Sequence, residues 1–207
     1  MAGTATRPEL VLRSLDATWN ADRWETLGDD GNRYEVIAGV LYMTTAASPF
    51  HQWLSRQVAR LLYAALDDRG HGLTLVAPVG LFLPGLDPVQ PDLFVLRPAD
   101  AALVYERRIY AVPLLIVEIL SPSNPEHDLV VKRDGYARAG VPEYWVVRQA
   151  ERDVLVQSEP EPESGRYARV VRAGVGERLV SPTLPIDGPV AQLFAGPAPR
   201  DGTASEG

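Results

Sequence analysis

The chain has 207 residues, 46% of them apolar, and no cysteine. That length suits one domain with a sizeable core, and the missing cysteine excludes disulfides, thiolate catalysis and thiolate zinc sites, so any metal would sit among oxygens. A formal charge of −7 argues against a general polyanion-binding surface, because neutralising phosphates takes clustered Lys and Arg.

A local groove lined by Arg56, Arg60, Lys132, Arg133 and Arg138 stays open to phosphate if the acidic surplus lies elsewhere. No run reaches the ~20 apolar residues of a spanning helix, and the first residues lack the apolar block of a signal peptide. The expectation is a soluble, cytoplasmic protein with no membrane partner.

In chain order, "RYEVIAGVLYMT" (33–44) reads as a hairpin turning at Ala38-Gly39, where glycine supplies positive φ. "SPFHQWLSRQVARLLYAALDDRG" predicts a helix capped by Ser48, with Pro49 in its first turn and Gly70 as its stop. Its apolar stripe is Leu54, Val58, Leu61, Leu62 and Ala65. "LTLVAPVGLFLP" and "QPDLFVLRP" are strand-like runs separated by a Gly/Pro turn, and predict antiparallel neighbours. Residues 100–113 are open between a short helix and a loop.

"LLIVEIL" reads as a central strand buried on both faces. After it, Asn124 caps a predicted helix that starts at Pro125 and runs through Tyr136 to about Ala139. "EYWVV" is a further buried strand, and "DVLVQS" with "YARVVRAG" forms a hairpin. Residues 1–195 are expected to form the domain and residues 196–207 a disordered tail.

One acid stands inside the apolar run of the central strand. An ionised carboxylate in a dry strand costs several kcal/mol unless paired, hydrogen-bonded or bound to a cation, so Glu118 requires a partner. Asp92 opens the strand "PDLFVL" directly after Pro91, where an adjacent strand brings the two acids together. Two carboxylates repel unless a cation sits between them, and oxygen-only ligation suits Mg²⁺ or Mn²⁺. The alternative for Glu118 is a structural ion pair with an arginine such as Arg133.

Asp128, Lys132 and Tyr136 follow at spacings of four, on one helical stripe. If that stripe faces the sheet, Lys132 reaches the acids and can stabilise charge developing on a phosphate. Tyr136 is a candidate substrate contact on this stripe, although a tyrosine there also suits the core, as Asp128 suits the helix dipole. Ser121 and Ser123 at the helix start offer hydroxyls or amides to a phosphate, or simply cap the helix.

The stretches "QPDLFV", "VEILSPSNPEHDLVVKRDGYARAGVPEYWVV" and "RYEVIAGVLY" together resemble the Uma-type restriction-endonuclease family of the PD-(D/E)XK nuclease superfamily, over roughly residues 20 to 190. The resemblance implies an α/β (α+β) fold with a restriction-endonuclease-like core: a central mixed sheet flanked by helices, with added N-terminal and C-terminal β-hairpins. It implies Asp92 and Glu118 as metal ligands and Lys132 as the catalytic lysine. Leu120 occupies the strand position where the superfamily's basic form has lysine, so this one comes from the following helix.

Glu35 matches a family glutamate with an expected role in orienting the attacking water, and His51 matches a histidine near the start of the first long helix, expected to touch substrate or merely to pack there. Two positions depart from the family pattern: Ala38 replaces an acid before the hairpin glycine, and Arg148 ends a strand that usually closes with aspartate.

The expected activity is Mg²⁺- or Mn²⁺-dependent phosphodiester hydrolysis in DNA. A homodimer is expected because one site cuts one strand, with an exposed sheet edge or a tryptophan patch as contact surface; Trp19, Trp24, Trp53 and Trp145 are read as core or dimer-interface anchors. The alternatives are a nuclease-fold nucleic-acid-binding or structural homodimer with weak or no cleavage, and a phosphoesterase acting on RNA or nucleotides.

Overall fold

The computed structural model describes residues 11–28, 30, 32–44, 47–105, 108–120 and 127–199. Ser121, Ser123 and the predicted helix start at Asn124 and Pro125 lie outside the described residues, as do the Asp128 side chain and residues 200–207 of the predicted tail.

The chain begins with β1 (Val11–Arg13), α1 (Ala21–Glu25), β2 (Arg33–Ile37) and β3 (Val40–Thr44). These three strands form an antiparallel sheet in the order β1-β3-β2. The predicted hairpin is β2–β3, and its turn holds both Ala38 (φ 51°) and Gly39 (φ 76°) in the left-handed region. Gly39 is required there twice over, because a Cβ would also stand 2.4 Å from the Ala17 carbonyl oxygen. Its N–H donates to Asp87 at 3.1 Å.

The helix α2 (Pro49–Ala65) starts as its sequence indicates, with the Ser48 hydroxyl accepting the His51 N–H. A 3-10 turn over Asp67–Arg69 and left-handed Gly70 end it. Then come β4 (Leu73–Val76), β5 (Gly80–Leu81), β6 (Leu93–Leu96), β7 (Val104–Tyr105), β8 (Arg108–Ile109) and β9 (Leu115–Leu120). The ambiguous stretch 100–113 resolves into a 3-10 turn followed by β7 and β8, which join β5 in a small separate sheet.

A π-helical turn over His127–Lys132 leads into α3 (Arg133–Arg138). The sequence predicts one continuous α-helix here. β10 (Glu143–Arg148), β11 (Asp153–Glu161) and β12 (Arg166–Gly174) follow, and β13 (Arg178–Val180) pairs with β14 (Asp187–Pro189).

The fold is mixed α+β around a six-stranded sheet in the order β12-β11-β10-β9-β6-β4. β9 and β10 are parallel, as a crossover through α3 demands, and the remaining pairs are antiparallel. Strand alternation sends Leu93, Val95, Val117 and Trp145 into the core under α2, with Leu54, Val58 and Leu62. It sends Phe94, Leu96, Ile116 and Val146 to the opposite face, with Tyr136 of α3. Glu118 is in step with Ile116, so period-2 geometry alone turns its carboxylate towards α3.

Of the tryptophans, Trp145 and Trp53 are buried in the α2 core. Trp24 donates its indole N–H to the Tyr34 carbonyl, and Trp19 stacks under the Arg23 guanidinium.

Arg148 has a clear local role. It stands opposite Asp153 across the β10–β11 pair, and donates from Nε and Nη2 to its two carboxylate oxygens at 2.7 and 2.6 Å. Arg172 of β12 adds a third bond at 2.5 Å. Burial works against the Asp153 charge, but the Arg148 and Arg172 hydrogen bonds outweigh it and hold the carboxyl below its ordinary value.

A depressed folded-state value means stability that is present above the unfolded pKa of about 3.9 and is lost as pH falls below it. Asp153→Asn is therefore expected to cost about 1–2 kcal/mol at pH 7 and to flatten the loss of stability between roughly pH 5 and pH 2. Urea denaturation across that range measures both, and equal acid limbs for variant and wild type would refute the role. In the turn, Ala38→Asn should raise Tm by about 1–3 °C, since asparagine tolerates the left-handed region better than alanine. Gly39→Ala should lower it.

Candidate active site

The register of two strands makes the site. Leu93 of β6 lies opposite Val117 of β9, so Asp92, one residue earlier, stands beside Glu118. The Asp92 N–H donates to Glu118 Oε2 at 3.3 Å, and the Ile119 N–H donates to Asp92 Oδ2 at 2.8 Å. Glu118 is thus held by the Asp92 backbone, and Asp92 by the backbone of Ile119, the residue after Glu118, at the start of β6.

The second layer comes from α3 and the turn before it. Lys132 Nζ lies 3.0 Å from Glu118 Oε1 and 3.1 Å from Glu35 Oε2. The Tyr136 hydroxyl donates to Glu118 Oε1 at 2.9 Å. On the other side β2 contributes Glu35 and, two residues earlier and hence on the same strand face, Arg33. Arg33 Nη1 is 2.6 Å from Asp92 Oδ1, while Nη2 is 3.6 Å from Glu35 and 3.8 Å from Glu118. Arg33 Nη2 also donates to the Gln90 carbonyl, and the Gln90 N–H donates to Glu35 Oε1 at 2.8 Å. His51, in the first turn of α2, places Nε2 3.2 Å from Asp92 Oδ2.

The set is dry. Glu35, Asp92, Glu118 and Lys132 are all buried, and the Arg33 side chain, 21% exposed, is its most accessible charged member. Burial opposes ionisation of Asp92, yet His51, Arg33 and the Ile119 N–H together hold its carboxyl well below the usual carboxylate range. Burial likewise opposes the Arg33 charge, and Glu35, Asp92 and Glu118 outweigh it, keeping the guanidinium protonated. Burial and the nearby Glu118 and Glu35 carboxylates push the Tyr136 phenol well above its ordinary value, so it remains a donor.

The geometry therefore gathers Asp92, Glu118, Lys132, Glu35, His51 and Tyr136 into one cluster. The arginine at Glu118 is Arg33 and not Arg133, which pairs with its neighbour Asp134 at 2.6 Å. Lys132 is buried among the acids and does not line a surface groove with Arg56 and Arg60, which stay exposed on α2. Arg33 and Gln90 are the site residues that sequence reasoning missed. The alternation R-Y-E in a strand could have found Arg33, because a residue two before Glu35 must share its face. Gln90 acts mainly through its backbone, which leaves no trace in side-chain type.

Among the described residues no three His, Asp or Glu side chains stand ready-made around an ion. The acids close instead on Arg33 and Lys132. The donor chemistry nevertheless fits a hard divalent cation, because carboxylate oxygens from Asp92, Glu118 and Glu35 dominate the cluster. Three carboxylates approach one guanidinium, that of Arg33.

Comparison with solved structures gives a fold likeness. The crystal structure of a putative nuclease belonging to DUF820 from Anabaena variabilis superposes with a TM-score of 0.73 at 14% identity, covering 85% of this chain and 97% of that one. No curated protein matches the chain. The Uma2 family, described as "Putative restriction endonuclease", matches residues 21–190. With a match over most of its length and a nuclease-like fold around one buried acid–lysine cluster, the chain belongs to the Uma2 family of restriction-endonuclease-like proteins.

Proposed function

We propose that this chain hydrolyses phosphodiester bonds in DNA with the help of Mg²⁺ or Mn²⁺. One observation carries the proposal: from separate parts of the chain, the Asp92 backbone N–H and the Lys132 ammonium both lie within hydrogen-bond distance of the Glu118 carboxylate. Asp92 and Glu118 would hold the ion, which when bound supplies Lewis-acid activation of the phosphate and of water.

The chain's own groups do the rest. Lys132, fixed between Glu118 and Glu35, presents an ammonium to the charge that builds on the phosphate in the transition state. Glu35, the one acid of the three not assigned to the ion, is the carboxylate left to orient the attacking water and to take its proton. Tyr136 and the Asp92 N–H fix the Glu118 carboxylate, and His51 with the Ile119 N–H fixes Asp92. Such locking keeps the ligands in one geometry without reorganisation during reaction. A homodimer would let two such sites cut two strands.

A weakly active or inactive nucleic-acid-binding homodimer is the second reading, favoured by the Arg33 guanidinium that already neutralises the acids. RNA is a further substrate class, since acids and a lysine do not choose the polymer.

Incubation with plasmid, single-stranded DNA and RNA, each with Mg²⁺ or Mn²⁺, separates the three. Nicking or linearisation of plasmid is expected, and both Glu118→Gln and Lys132→Ala should reduce it by about 10²-fold or more while thermal melts confirm that each variant is folded. Cleavage at the wild-type rate in both folded variants would reject the assigned roles. Cleavage of RNA alone would move the substrate.

A further inference from the structure

We propose that Arg33 is a built-in counter-ion that occupies the cation position of the acid cluster, so that a divalent ion binds by exchange with its guanidinium. This rests on the metal-dependent reading above and adds a residue and a step to it.

Arg33 contacts all three buried acids of the cluster: Nη1 lies 2.6 Å from Asp92, and Nη2 lies 3.6 Å from Glu35 and 3.8 Å from Glu118. A hard ion binds carboxylate oxygens at ~2.0–2.1 Å, and a guanidinium nitrogen at hydrogen-bond distance from Asp92 Oδ1 stands in that coordination space. The two cations cannot share it.

Charge crowding leads to the same conclusion. Among the described residues Arg33 and Lys132 already stand against the three carboxylates, and His51 lies against Asp92. A divalent ion added on top would crowd two more positive charges into the buried cluster, whereas one that replaces Arg33 adds only one. Lys132 is the worse candidate to leave, being 4% exposed and clamped between two acids, whereas the Arg33 side chain is 21% exposed.

The seat is also incomplete. Arg33 Nε is buried and has no hydrogen-bond partner, a desolvation penalty that is relieved when the side chain swings into water. Arg33 thus holds the acids together until the ion arrives, and the ion's affinity is reduced by the free energy of displacing it.

Three measurements on the full chain test the exchange. Mn²⁺ titration by calorimetry should show affinity tighter by about tenfold or more in Arg33→Gln than in wild type, within the usual range for competing sites. Without metal, Arg33→Gln should melt about 5 °C or more below wild type, with Mn²⁺ restoring most of the difference and Arg33→Lys showing an intermediate loss.

The third measurement needs no variant. Phenylglyoxal modification of Arg33 in wild type, read by peptide mass, should be slow without metal and accelerate with saturating Mn²⁺. Equal Mn²⁺ affinity in a folded Arg33→Gln, or an Arg33 that stays protected with Mn²⁺ bound, would overturn the proposal. Absence of Mn²⁺ binding by both wild type and variant would overturn it together with the metal-dependent reading. Exchange without any nucleic-acid cleavage would leave it standing and remove only the nuclease activity.

Discussion

A carboxylate inside a six-stranded sheet fixes much of what surrounds it. Glu118 sits on β9 between β6 and β10, with its side chain turned towards α3 by strand alternation. Its ionised form is tolerable there only because a lysine, a tyrosine hydroxyl, a backbone N–H and, at longer range, a guanidinium converge on it. Each partner comes from a different element, so the requirement to satisfy one buried acid ties the N-terminal hairpin, β6 and α3 to the same point of the sheet.

That arrangement also has a cost, and the way the fold meets it bears on function. Three buried carboxylates would repel strongly if left to themselves. Lys132 and Arg33 neutralise most of that charge, but they do so differently. Lys132 is enclosed and bonded to two acids, as suits a group that must stay in place during reaction. Arg33 approaches from the more open side with one donor unsatisfied, as suits a group that can be replaced. On the metal-dependent reading proposed above, the same residues would hold a hard cation and remain stable without one.

Away from the cluster the same physics serves structure alone. Asp153 is as buried as Glu118, yet both of its arginines come from neighbouring strand positions and fasten β10, β11 and β12 together. Glu143 at the start of β10 accepts bonds from Trp145, Ser181 and Thr183 and ties the C-terminal segment to the sheet. Buried acids in this protein are therefore not in themselves a mark of function. The distinguishing feature at Glu118 is that it shares one buried cluster with Asp92, Glu35, Arg33 and Lys132, whereas Asp153 and Glu143 each stand apart from other buried acids.

Much of this was legible in the chain. The helix 49–65 was marked by its cap, its proline and its apolar stripe, and β9 and β10 by unbroken apolar runs, because those signals depend on residues close in sequence. Asp92, Glu118 and Lys132 could be picked out because a charge in an apolar setting demands a reason. What only tertiary structure decided is the pairing: that Arg33, 59 positions from Asp92, and not the adjacent Arg133, faces the acids. It also decided that a π-helical turn rather than an α-helix delivers Lys132. Local pattern sets which face a side chain takes, whereas the register between distant strands sets what it meets there, and that register is fixed by the packing of the whole sheet rather than by any one segment.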